Sequence, residues 1–305
     1  MNKWAFSFII GGAALWGTIG IFVQGLYELG FTPIEVVTIR VAVAFAALLF
    51  IVAFKNRQMF KIKPKHVPLF LGTGIFSIVF FNWAYFTTIQ EINLSIAAVL
   101  LYTGPAFVTV MSRIFFKEVI TLQKSVALLI TLLGCTLVIG VFPLNAEQLS
   151  VYGVFIGICS GFGYALYSIF GKAASSRNYS SLTITFYTFL FASVALVPTS
   201  GILTRLEPLF TMEGILLALG LGTVPTVLAY LLYTAGLQQV ESSKASIAAT
   251  IEPVVAAMIG VFIFQDQLTP WQFVGMFFVL LAVLFIQKSK QTNESKQVRS
   301  LERPS

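Results

Sequence analysis

Ten stretches of apolar residues, each close to the length that crosses a bilayer, recur along this sequence with short polar breaks between them. They cover approximately residues 5–25, 34–54, 67–86, 94–116, 122–141, 152–172, 181–199, 213–234, 245–264 and 270–287. About 20 apolar residues in a helix span the hydrocarbon layer. Hydrocarbon offers no partner to a backbone N–H or C=O, so such stretches must fold as helices that satisfy those groups internally. The fold class expected is therefore an all-α polytopic membrane protein. Composition agrees: 10% of residues are charged, where a soluble domain carries roughly a quarter. The first stretch runs past the length of a signal-peptide core and nine more follow, so it reads as the first transmembrane helix.

Basic residues set the orientation, because Lys and Arg collect on the cytoplasmic side. With a cytoplasmic N-terminus, the inside segments hold 17 of the 19 Lys and Arg residues; Arg205 lies outside and Arg40 within a span. A miscounted helix would scramble this bias, so both termini are expected in the cytoplasm. The net charge of +7 does not point to nucleic acid, because these residues sit in the gaps and form no patch with stacking aromatics. The bilayer is the expected partner.

Sliding the sequence against itself by 148 residues aligns its halves without a gap. Leu69, Leu71, Gly72 and Gly74 fall on Leu217, Leu219, Gly220 and Gly222; Tyr85, Gln90, Ser95 and Ala97 fall on Tyr233, Gln238, Ser243 and Ala245. Pro105 falls on Pro253, Phe116 on Phe264 and Thr121 on Thr269. Five spans per half is an odd number, so the second repeat must run inverted relative to the first. Inverted repeats are a signature of alternating-access transporters, whose substrate site lies near the midplane between the halves. The basic loops agree, since Lys117 and Lys124 correspond to Gln265 and Gln272 on the opposite side. The expected units are a repeat over 1–145, a repeat over 150–288 and a disordered cytoplasmic tail over 289–305.

Several residues carry a family resemblance: Ala14-Leu15-Trp16-Gly17, Arg40, Gly104-Pro105, Glu252-Pro253, Phe116-Lys117-Glu118 and Phe264-Gln265-Asp266. With the 5 + 5 arrangement, over about residues 5–287, the chain resembles the EamA branch of the drug/metabolite transporter superfamily. Asp266 stands where a Glu is common in that pattern. The resemblance implies a multi-pass plasma-membrane exporter of amino acids or other small organic metabolites, without naming which. Coupling to protons and facilitative uptake are both compatible with it.

Charge within a bilayer costs about 2.5–3.5 kcal/mol at a helix centre, so Glu252 and Arg40 ask for a reason. Glu252 is a candidate proton carrier or partner for a substrate amine. Arg40 is a candidate partner for a carboxylate; its structural alternatives are snorkelling outward or pairing with Glu35. Pro105 and Pro253 each free a carbonyl one turn upstream and are candidate helix breaks. Tyr85, Thr103, Tyr164, Tyr167 and Tyr233 are polar groups within spans, able to line a wetted cavity. Trp16, Asn82, Trp83, Tyr102 and Tyr230 are singled out as candidates to line a wetted cavity, although interfacial anchoring also explains Trp and Tyr near span ends. Gly153, Gly157 and Gly161 give a smooth helix face, read as internal packing rather than dimerisation, with a homodimer left open.

Cys135 and Cys159 read as small core hydrophobes without metal-site spacing. The chain has one histidine, His66, and one aspartate, Asp266. It shows no P-loop, nucleophile elbow or His pair. Neither a cofactor nor a metal site is expected, and an integral-membrane lipid-modifying enzyme is the disfavoured alternative.

Overall fold

Ten helices long and apolar enough to cross a membrane follow one another in the computed structural model, which describes residues 4–55, 57–140 and 150–288. They are α1 (Ala5–Glu28), α2 (Pro33–Phe54), α3 (Pro64–Glu91), α4 (Leu94–Phe116) and α5 (Leu122–Ile139), then α6 (Val151–Ser175), α7 (Ser181–Thr199), α8 (Met212–Leu237), α9 (Ser242–Phe264) and α10 (Pro270–Gln287). Several run beyond the expected bounds, α3 at both ends, because a helix continues through the polar interface after its apolar stretch stops. The tail 289–305 and the expected repeat boundary at residue 145 lie outside the described residues.

Helix starts are built from side chains that accept the otherwise unpaired first-turn amides. Thr121 caps α5 through the Lys124 N–H, and Thr269 caps α10 through the Gln272 N–H in a full capping box. Asn93 caps α4, Ser150 caps α6, Ser180 caps α7 and Thr211 caps α8 in the same way. Hydroxyls inside the spans bond back to carbonyls of their own helix, as Thr88 does to Ala84 and Thr109 to Pro105.

The two halves repeat each other in detail at the 148-residue offset. A π-helical segment occupies Gly72–Val79 in α3 and another Thr223–Leu228 in α8. Lys117 and Gln265 both end their helices at positive φ (56° and 61°), and the next amide reaches back to Ser112 O in one repeat and Gly260 O in the other. The Gly-x-Gly pairs mark close approaches: a Cβ on Gly72 would collide with Phe170, and one on Gly220 with its counterpart, Phe22.

Packing agrees with the inversion. Gln123 Nε2 of α5 donates to Phe285 O of α10, and Gln272 Nε2 of α10 donates to Val138 O of α5. These equivalent helices are therefore antiparallel. So are α2 and α7, where Ser193 Oγ donates to Val41 O and Phe186 packs on Phe45. A two-fold axis relating the halves must then cross the helix axes. Across it, α1 packs on α8 as α6 packs on α3. The glycine face of α6 lies inside the bundle, with Gly153 against Ile92, Gly157 against Leu100 and Gly161 against Thr103.

Candidate functional site

Two spans are broken. The first part of α4 ends at Leu101 and the second begins at Gly104; in α9 the parts are Ser242–Ala249 and Ile251–Phe264. Pro105 and Pro253 stand near the starts of the second parts, where a missing N–H costs little. The carbonyls they free, four residues upstream, belong to Leu101 and Ala249, the last residues before the breaks. Tyr102 fills one break and Glu252 opens the helix that follows the other. The Tyr102 hydroxyl and the Arg40 guanidinium are the polar neighbours of the Glu252 carboxylate.

Beside this pair is a box of rings. Trp16 of α1 stands 5.0 Å from the centroids of both Tyr230 and Tyr233, and 6.4 Å from that of Tyr164. Tyr167 meets Tyr230 edge-on at 4.9 Å. The hydroxyls are anchored on one side: Tyr167 to Thr234 Oγ1 at 2.6 Å and Tyr233 to Ser168 Oγ at 2.7 Å. Arg40 Nη2 donates to the Tyr230 hydroxyl at 3.4 Å. Three buried polar atoms here, Trp16 Nε1, Arg40 Nε and Ser77 Oγ, have no hydrogen-bond partner among the described residues. Leaving a buried polar group unmet costs about 1–3 kcal/mol, so a concentration of them calls for an explanation.

Arg40 neither snorkels outward nor pairs with Glu35. Its side chain is buried, and Glu35 instead accepts from Thr32 and faces Arg205 at 3.6 Å. The reason is geometric: Glu35 lies in the first turn of α2, within reach of the loop that carries Arg205, while Arg40 lies deeper against α8. Among the other candidates, Trp16, Tyr102 and Tyr230 are buried around the centre. Asn82 is buried but gives its amide to Ile78 O. Trp83 is 48% exposed and lies outside the ring box, because it is one residue round the helix from Asn82. Tyr164, Tyr167, Tyr233 and Ser77 join the site without having been singled out. The repeat carried a signal for two of them, since Tyr164 is the counterpart of Trp16 and Tyr233 of Tyr85.

The ring box encloses about 10 Å³, room for about one water molecule. A far larger cavity of about 600 Å³ lies between α4, α5, α9 and α10; Tyr102 and Pro253 are among its lining residues, as are Ser95, Asp266 and Gln272 towards the helix ends. At the opposite end the helices are tied together. Glu118 Oε1 accepts from Ser242 N at 2.7 Å, and Oε2 accepts from the N–H and hydroxyl of Ser243. Lys124 lies 3.7 Å from Glu118 and 3.3 Å from Glu241, which meets Lys244 at 2.9 Å. Burial works to raise the Glu241 carboxyl, but the hydrogen bond from Lys244 and the charge of Lys124 outweigh it and hold it below its ordinary value. Lys172 Nζ clasps Leu237 O and Val240 O, each at 2.8 Å. Among the described residues, no group of three or more His, Cys, Asp or Glu is placed to hold a metal ion.

The model of the EamA-like transporter family matches residues 3–140 and 151–287. An uncharacterized transporter of Archaeoglobus fulgidus is 31% identical over 276 residues, which covers 90% of this chain and 93% of that one. The uncharacterized transporter YwfM of Bacillus subtilis is 24% identical, covering 95% and 96%. A protein of known crystal structure superposes with a TM-score of 0.76 over 99% of this chain and 100% of its own, at 15% identity, a likeness of fold alone.

Proposed function

Because this chain belongs to the EamA-like transporter family, we infer that it moves a small organic metabolite across the plasma membrane by alternating access, with both termini in the cytoplasm. The observation that carries this reading is the set of unmet donors in the ring box and beside it. Trp16 Nε1 and Arg40 Nε offer N–H groups to an acceptor such as a carboxylate, and the rings offer faces to an apolar body. Glu252, the site's carboxylate, suits a cationic group or a proton. A zwitterion such as an amino acid presents both charges, which makes it the substrate class of choice. In the orientation set by the basic residues, the 600 Å³ cavity opens outward and the tied end faces the cytoplasm. Export is the direction taken.

The test is solute flux in vesicles that carry only this protein, with candidates chosen by screening metabolite efflux from cells that over-express or lack it. Arg40→Gln should weaken a carboxylate-bearing solute by about 10–100-fold, the worth of one charged hydrogen bond of about 1.5–3 kcal/mol. Absence of flux for every small metabolite offered would defeat the transporter reading. Unchanged affinity in Arg40→Gln would remove the carboxylate assignment.

A further inference from the structure

The tied end and the open end are built from the same positions of the two repeats. Adding 148 to 118 gives Asp266, and subtracting 148 from 242 and 243 gives Leu94 and Ser95. Glu118 follows a residue with φ 56° and accepts from the first two amides of the first part of α9 and from the Ser243 hydroxyl. Asp266 follows a residue with φ 61°, on the same turn. The first part of α4 starts with Leu94 and Ser95, and its capping residue Asn93 accepts from the Ile96 N–H. In this structure the Glu118 side chain is 8% exposed, whereas Asp266 is exposed and lines the open cavity together with Leu94 and Ser95.

We propose that the open end closes when Asp266 docks onto the Leu94 and Ser95 amides and the Ser95 hydroxyl, the contact that Glu118 makes with Ser242 and Ser243. This rests on the alternating-access reading above and adds the residues that shut the second gate. Inverted repeats that exchange conformations must exchange their contacts too, so the contact seen in one repeat is the template for the other.

The counterparts also show why the two gates differ in strength. Lys124, Glu241 and Lys244 tighten the closed end; their counterparts are Gln272, Asn93 and Ile96, none of them charged. Gln272 is engaged with Thr269 and Val138. Asp266 is also one methylene shorter than Glu118. A gate with one charge closes less firmly than a gate with four, so with no solute bound the chain rests with the Asp266 end open, the state described here. Closing that end requires loosening the other.

Thiol labelling of the full-length chain tests this in membrane sheets open to both faces, after Cys135→Ala and Cys159→Ala. A thiol introduced by Ala98→Cys sits on the wall of the open cavity. Glu118→Gln should lower its rate of maleimide labelling several-fold. Lys124→Gln, which copies residue 272, should act in the same direction and serves if the first variant does not fold. Adding Asp266→Asn should restore fast labelling, while Asp266→Glu should keep it slow. Labelling that ignores both closed-end variants overturns the proposal, as does slow labelling that survives Asp266→Asn. The assay needs no solute, so its failure alongside measurable flux defeats the gate alone, and absence of flux defeats the transporter reading alone.

Discussion

Glu252 and Arg40 stand at positions within the spans where the two repeats differ in charge. Their counterparts are Gly104 and Thr188, so the site is symmetric in scaffold and asymmetric in charge. The reason Gly104 carries no side chain is visible: a Cβ there would meet the Tyr164 ring at 2.8 Å. At Glu252 the side chain is accommodated beside Tyr102 and Arg40. A carboxylate that shares its surroundings with a guanidinium and a phenol changes its interactions when it takes up a proton or an amine. Glu252→Gln keeps the shape and removes the charge. It should abolish uphill transport in vesicles while protein abundance stays near normal, and uphill transport at the original rate would return Glu252 to a packing role.

At the scale of helices, the close approaches and the tied end each carry a measurable consequence. Gly72 and Gly220 lie under Phe170 and Phe22, in helix pairs related by the repeat. Gly72→Ala and Gly220→Ala should each destabilise the protein by about 1–3 kcal/mol, the usual cost of overpacking. Thermal unfolding in detergent measures this, and a variant that melts with the original chain would show that the ring moves aside freely. The link before α9 is sensitive to acid. Glu241 has its carboxyl held below the ordinary value by Lys244 and Lys124 against the effect of burial. Its stabilisation is therefore complete above the ordinary carboxylate pKa and is lost as pH falls through the depressed folded value. Melting temperature should drop across that acid window, and Glu241→Gln should flatten the drop. An equal drop in the variant would assign the acid sensitivity to other groups.

For the whole molecule, antiparallel packing of α2 on α7 and of α5 on α10 makes the two-fold relation a property of the fold, while the side each end faces is a matter of insertion. The orientation proposed from the basic-residue bias has the α9–α10 connection outside. In intact cells, an impermeant thiol reagent should modify Gln267→Cys and spare Lys61→Cys; the reverse pattern would invert the orientation and, with it, the side on which the 600 Å³ cavity opens. Some of this was legible in the residues alone. Hydrocarbon thickness sets the length of a span, so ten apolar stretches determined ten helices. The internal repeat left its offset in glycines and prolines that packing will not let drift, so the 148-residue register was readable at Gly72/Gly220 and Pro105/Pro253. The interior face of each helix was not readable. Lipid and protein interior accept the same apolar side chains, so no pattern separated Asn82 from its exposed neighbour Trp83. Which end is tied was decided only by the tertiary structure: Glu118 and Lys124 are far along the chain from Glu241 and Ser242, and it takes the packed helices to bring Glu118 onto the start of α9 while leaving Asp266 apart from the start of α4.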